Sequence, residues 1–143
     1  MMAKISRNST VNARVEKVFS YISDPLNQLE WLPSISSVRD VSGEGKGQTF
    51  SWTYKMAGLP LKGKTETIEY VANKRIGLKT TGGVKSTWTW QFSGAGDKTQ
   101  VDLAIEYAVP VPVLGKLAEA LVTRQNAREA TLALANIKSR MES

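Results

Sequence analysis

Arg128 stands one helical turn after Gln125 in a C-terminal segment whose other spaced positions are leucines and alanines. A guanidinium buried there without a partner costs several kcal/mol, so it must meet a carboxylate, a ligand anion or water. Glu66 is the candidate for a structural ion pair, a snorkelled exposed position is the other structural reading, and a ligand anion is the functional alternative. Gln125 can hydrogen-bond a carbonyl or hydroxyl of the same ligand. The chain has no His and no Cys, which excludes imidazole acid–base pairs, thiolate nucleophiles, disulfides and zinc sites built on those ligands. Tyr54, Tyr70, Tyr107, Glu66, Arg128 and Lys64 remain for proton transfer, and a Tyr–Arg pair polarising a carbonyl is the most they offer. No motif asks for a cofactor or a metal. Trp88 and Trp90 share one strand face, where two indoles leave irregular space and present N–H donors.

The elements that must hold these residues follow from periodicity. Lys4–Asn12 reads as a strand, and Asn12 is placed to cap a helix over Ala13–Ser23 with Val15, Val18, Phe19 and Ile22 on one stripe. Asp24-Pro25 ends that helix, and a second short one runs from Leu26 to Trp31 before Pro33. From Ile35 to Val109 six strands alternate with glycine-bearing turns: Ile35–Ser42, Gln48–Ala57, Leu61–Ala72, Arg75–Thr81, Val84–Ser93 and Thr99–Val109. Turns this short join antiparallel neighbours.

Alternation puts Phe50, Trp52, Tyr54 and Met56 on one face, Val84, Ser86, Trp88, Trp90 and Phe92 on another, and Val101, Leu103, Ile105 and Tyr107 on a third. In Leu61–Ala72 the inward set is either Lys62, Lys64, Glu66, Ile68 and Tyr70 or Thr65, Thr67, Glu69 and Val71, and one bulge would exchange them. A sheet with one dry face needs a cover. The segment from about Val113 to Met141, after Pro110-Val111-Pro112, supplies it as roughly 40 Å of helix. At 100° per residue Leu114, Leu117, Leu121, Gln125, Arg128, Leu132 and Ala135 fall within about 40° of Leu121. Leu134 and Ile137 point nearly the opposite way, toward the N-terminal helices or a second subunit.

The 143 residues suit one domain, expected over residues 1–143. The 19 Lys and Arg against 13 Asp and Glu give +6, yet the longest basic run is the pair Lys74-Arg75, which disfavours nucleic-acid binding. Between Lys55 and Lys85 seven basic residues face two acidic ones, beside the apolar stretch Met56–Leu61. That patch reads as a mixed basic sheet surface, with transient contact to an anionic membrane as the alternative. No segment has the apolar length of a secretory signal or a membrane span, so a cytoplasmic location is expected.

The order of one strand, two small helices, six antiparallel strands and a long C-terminal helix resembles the α+β helix-grip fold of the START/Bet v 1-like superfamily. Within it the chain resembles the polyketide cyclase/dehydrase-like group. The likeness lies in the opening Val11-Asn12-Ala13-Arg14-Val15-Glu16-Lys17-Val18-Phe19-Ser20-Tyr21-Ile22-Ser23-Asp24-Pro25 and the following Leu29-Glu30-Trp31-Leu32-Pro33. It implies a seven-stranded curved antiparallel sheet wrapped on the C-terminal helix, and a small apolar or amphipathic ligand between them. Members include enzymes, carriers and proteins of no known activity.

A curved sheet on one helix leaves a cavity. The expected lining is Trp52, Tyr54, Met56, Trp88, Trp90, Leu103, Ile105, Tyr107, Leu117, Leu121, Gln125 and Arg128. Binding or carriage of a hydrophobic molecule needs only that cavity. A cyclase or dehydratase needs in addition a positioned proton donor or acceptor, and an interaction module would use Leu134 and Ile137. The chain is expected as a monomer or homodimer.

Overall fold

Short glycine turns fold the middle of the chain back on itself again and again, and the result is one sheet. The computed structural model describes residues 2–56, 58–108 and 119–143, with side chains from residue 123 in the last stretch. Seven antiparallel strands run β1 (Met2–Val11), β2 (Ile35–Ser42), β3 (Thr49–Met56), β4 (Leu59–Val71), β5 (Arg75–Gly82), β6 (Ser86–Ala95) and β7 (Lys98–Ala108). Their order across the sheet is β1-β7-β6-β5-β4-β3-β2, a meander closed on one side by the first strand. Between β1 and β2 lie α1 (Val15–Ser23), a 3-10 turn (Pro25–Asn27) and α2 (Gln28–Trp31). The terminal helix α3 is described over Glu119–Glu142.

The expected fold is the one observed, and three local expectations are corrected. Helix α1 starts at Val15 with Arg14 at its N-cap and no side-chain cap bond. Asn12 does not cap it, because β1 pairs through Val11 and the Asn12 N–H donates to Glu142 Oε2 at 2.8 Å. Asp24 does cap, accepting from Leu26 N at 3.0 Å ahead of Pro25.

Strand β4 uses both candidate faces. Leu61, Thr65 and Thr67 are buried, then a register shift between Thr67 and Glu69 inserts Ile68 and reverses the alternation. Beyond it Tyr70 sits opposite the buried Ile76 and meets Phe19 edge-on at 5.3 Å. Lys62, Lys64 and Glu66 are exposed, so Glu66 is out of reach of the interior.

Helix α3 presents the face opposite to the expected one. Ala130, Ala133, Leu134, Ile137 and Met141 are buried, at the i, i+3, i+4, i+7, i+11 spacing of an amphipathic helix, whereas Arg128, Leu132 and Ala135 are exposed. The expected stripe was set by the leucines at 114, 117 and 121 and carried onward through two polar residues. The larger apolar area past residue 129 overrides it, since burying Leu134, Ile137 and Met141 outweighs burying Leu132 and an arginine. Leu114 and Leu117, like Pro110-Val111-Pro112, lie outside the described residues, as does the Leu121 side chain. The polar contacts agree with this rotation: Asn136 Nδ2 donates to Trp31 O (3.3 Å), Lys17 Nζ to Met141 O (3.0 Å) and Lys138 Nζ to Thr10 O (2.8 Å). Leu134 and Ile137 are core residues, which removes the support they lent to a protein-binding face.

Candidate functional site

Glycine at one position lets the sheet make room. A Cβ at Gly63 would fall inside the Trp52 indole and lie 2.6 Å from Thr81 O. With only hydrogens there, the Trp52 ring crosses β4 and donates Nε1–H to Thr65 Oγ1 at 2.9 Å. On the neighbouring strands Trp88 donates to Ser86 Oγ at 3.1 Å, and Thr80, which faces Ser86, donates to Val84 O at 2.8 Å. Small hydroxyl residues on the inner face thus satisfy two indoles while taking up little space. Above them the sheet, α2 and α3 border a half-open cavity of about 70 Å³, enough for several waters.

Six of the expected residues line it: Trp52, Tyr54, Met56, Trp88, Ile105 and Tyr107. The other six do not assemble as expected. Trp90 is fully buried beneath the cavity, with its ring edge-on to Trp31 at 5.6 Å and stacked near Phe92 at 6.4 Å. Leu103 is likewise core, 2% exposed and outside the lining. Leu117 and the side chain of Leu121 lie outside the described residues. Gln125 ties α3 to the sheet instead, donating from Nε2 to Lys55 O at 2.8 Å and to Ser34 Oγ at 3.4 Å. Arg128 is exposed on the outer face of α3, so neither the Glu66 ion pair nor the ligand-anion role has its geometry, and the Tyr–Arg pair does not form. Trp88 has its N–H committed to Ser86, which removes the donor it was expected to offer.

A carboxylate takes the arginine's place. Glu129, 6% exposed, projects from α3 into the lining. Its Oε1 accepts the Ser34 N–H and its Oε2 accepts from Ser34 Oγ at 3.0 Å, while Ser34 O receives Lys55 N at 2.9 Å. Burial raises the Glu129 carboxyl pKa above its ordinary value, and the two Ser34 bonds and the Arg128 charge only partly offset this. The Tyr54 hydroxyl is pushed up too, first by burial and then by the Glu129 charge, so it stays neutral. The sequence does carry a signal for Glu129: it sits four residues before Ala133 and eight before Ile137, at the edge of the stripe that is buried.

Three polar atoms on lining residues have no hydrogen-bond partner: Trp31 Nε1, Tyr107 OH and Asn126 Nδ2. All three can donate. No Lys or Arg occurs among the described residues that line the cavity, and no cluster of metal-binding side chains occurs among the described residues. Among the described residues the lining is largely apolar and carries one carboxyl group, Glu129, in a chain of net charge +6.

Solved structures share this architecture. A crystallised protein of Thermus thermophilus superposes with a TM-score of 0.83 at 21% identity, covering 97% of each chain. The Zhui aromatase/cyclase from Streptomyces sp. R1128 gives 0.82 at 17% identity, covering 99% of this chain and 94% of that one. The di-domain aromatase/cyclase StfQ of the steffimycin biosynthetic pathway gives 0.78 at 14% identity, matching 99% of this chain to 51% of its own. No curated protein matches by sequence. With the helix-grip fold in place and the family model described as polyketide cyclase/dehydrase and lipid transport matching residues 2–142, the chain belongs to that family.

Proposed function

We propose that the chain is a single ligand-binding domain that takes a small hydrophobic or amphipathic molecule into the chamber between sheet and α3, as a carrier or sequestering protein. The observation that carries this reading is the pairing of apolar walls with partnerless buried donors. Trp31 is 1% and Tyr107 3% exposed, and a buried donor left unmade costs about 1–3 kcal/mol. A ligand oxygen recovers that loss on binding, while the ring and aliphatic walls contribute about 25 cal/mol per Å² of apolar surface covered. Native mass spectrometry of protein isolated from its own host tests it, with a bound small molecule as the expected result. Protein that carries none, and gives no heat with apolar probes in calorimetry, overturns it. Tyr107→Phe should weaken binding about tenfold, the loss of one hydrogen bond in a buried site.

A second reading is favoured by Glu129. A cyclase or dehydratase needs a positioned group to take or give a proton, and a buried carboxyl of raised pKa beside Tyr54, whose hydroxyl burial keeps neutral, supplies one. In that reading Glu129 accepts a proton from the carbon next to a bound carbonyl, whose oxygen a tyrosine O–H holds. Turnover lost in Glu129→Gln with binding retained supports the enzyme; binding without turnover at any stage in the unaltered protein supports the carrier.

A further inference from the structure

The chamber's charge pattern is the reverse of the molecule's. Nineteen cationic side chains lie on the chain, yet none of the described ones lines the cavity, and Glu129 is the one carboxyl group among the described lining residues. Both Glu129 oxygens face Ser34, so the donors Ser34 offers are already used. The donors on lining residues that have no partner are Trp31 Nε1–H, Tyr107 O–H and Asn126 Nδ2–H, which are neutral and buried behind the cavity surface, so a ligand reaches them only where the side chains shift. A carboxylate entering here meets no cation among the described residues, loses part of its hydration and adds a second negative charge beside Glu129. A ketone, quinone, lactone or alcohol meets the same donors without those costs.

We propose that the cavity selects uncharged molecules bearing carbonyl, ether or hydroxyl oxygens, and that Glu129 is the specificity residue that turns away carboxylates. The inference rests on the binding reading above and gives the ligand its chemical class. Ser34 fits Glu129 to this task by fixing both oxygens, so the acid cannot swing away to admit an anion. If the acid holds a proton, Ser34 Oγ accepts from Oε2 across the same contact, and an entering anion still meets no positive partner among the described residues.

A matched pair of probes tests the proposal: 2-acetylnaphthalene and 2-naphthoate, nearly equal in size and differing in charge, titrated by calorimetry at neutral pH. The expected result is a ketone preference of at least about tenfold in the unaltered protein. In Glu129→Gln, whose amide oxygen still accepts the Ser34 N–H, the ratio should fall by at least about threefold, and what remains is the carboxylate's lost hydration. Equal affinity for both probes in the unaltered protein overturns the selectivity. An undiminished ketone preference in the folded variant overturns the assignment to Glu129. The molecule carried from the host gives the second measurement: an uncharged oxygenated compound supports the inference, whereas a free carboxylic acid overturns it and leaves the binding reading standing. Binding of neither probe, together with an empty protein from the host, overturns both.

Discussion

Glu129 is the residue on which the chemistry of the chamber depends, and its pH behaviour has a definite sign. Its pKa is raised on folding, so above the ordinary value of 4.5 the native state holds more of this proton than the unfolded chain. Stability from this group is present below that value and is lost as pH rises through the folded pKa. Measured as chemical-denaturation curves at several pH values, the unaltered protein should lose stability relative to Glu129→Gln as pH rises across that window, with flat differences on either side. A second test at this scale concerns Gly63. Gly63→Ala puts a methyl group into the Trp52 ring and against Thr81 O, so it should cost about 1–3 kcal/mol and break the Trp52–Thr65 bond. Loss of the Trp52 indole N–H resonance from its bonded position in an NMR spectrum would report the second effect.

Among the elements, the strands and the C-terminal helix were legible as elements, and the inward face of that helix was not. Alternation of large and small polar side chains named the inner faces of β3, β6 and β7 from Phe50 to Tyr107, because a strand's period of two leaves only two choices. In β4 neither choice stood out, since Thr65 and Thr67 are inward without being apolar and the bulge at Ile68 changes face midway. The helix failed for a different reason. A period of 3.6 admits many phases, and the three leucines before residue 122 pointed to one while Ala130, Ala133, Leu134, Ile137 and Met141 pointed to another. The two polar residues inside the first stripe were the sign that it did not extend. That error carried into the site, placing Arg128 inside and leaving Glu129 and Asn126 unnoticed. Paired substitutions test the phase: Ile137→Ala should cost about 2–5 kcal/mol, and Leu132→Ala should stay within about 0.5 kcal/mol, by thermal or denaturant unfolding.

For the whole molecule, the basic surface and the described cavity lining separate in space. Lys55, Lys62, Lys64, Lys79 and Lys85 are exposed, with Glu66 opposite Lys79 in register and Glu69 bonded to Arg75 at 2.8 Å. No helix among the described residues is long and apolar enough to cross a membrane. A neutral ligand held in an acid-bearing interior does not draw on that basic surface. Its affinity should therefore change less than about twofold between low and high salt in calorimetry, where a ligand held by the lysines would weaken strongly.

The close packing of Trp31 against Trp90, above a floor crossed by Trp52 and Trp88, has one more consequence. All four tryptophans of the chain lie in or directly beneath the chamber. The protein's indole emission therefore comes from three rings that line the cavity and a fourth, Trp90, packed against one of them. Excitation of the native chain is reported from its interior, so occupancy can be followed without attaching a dye.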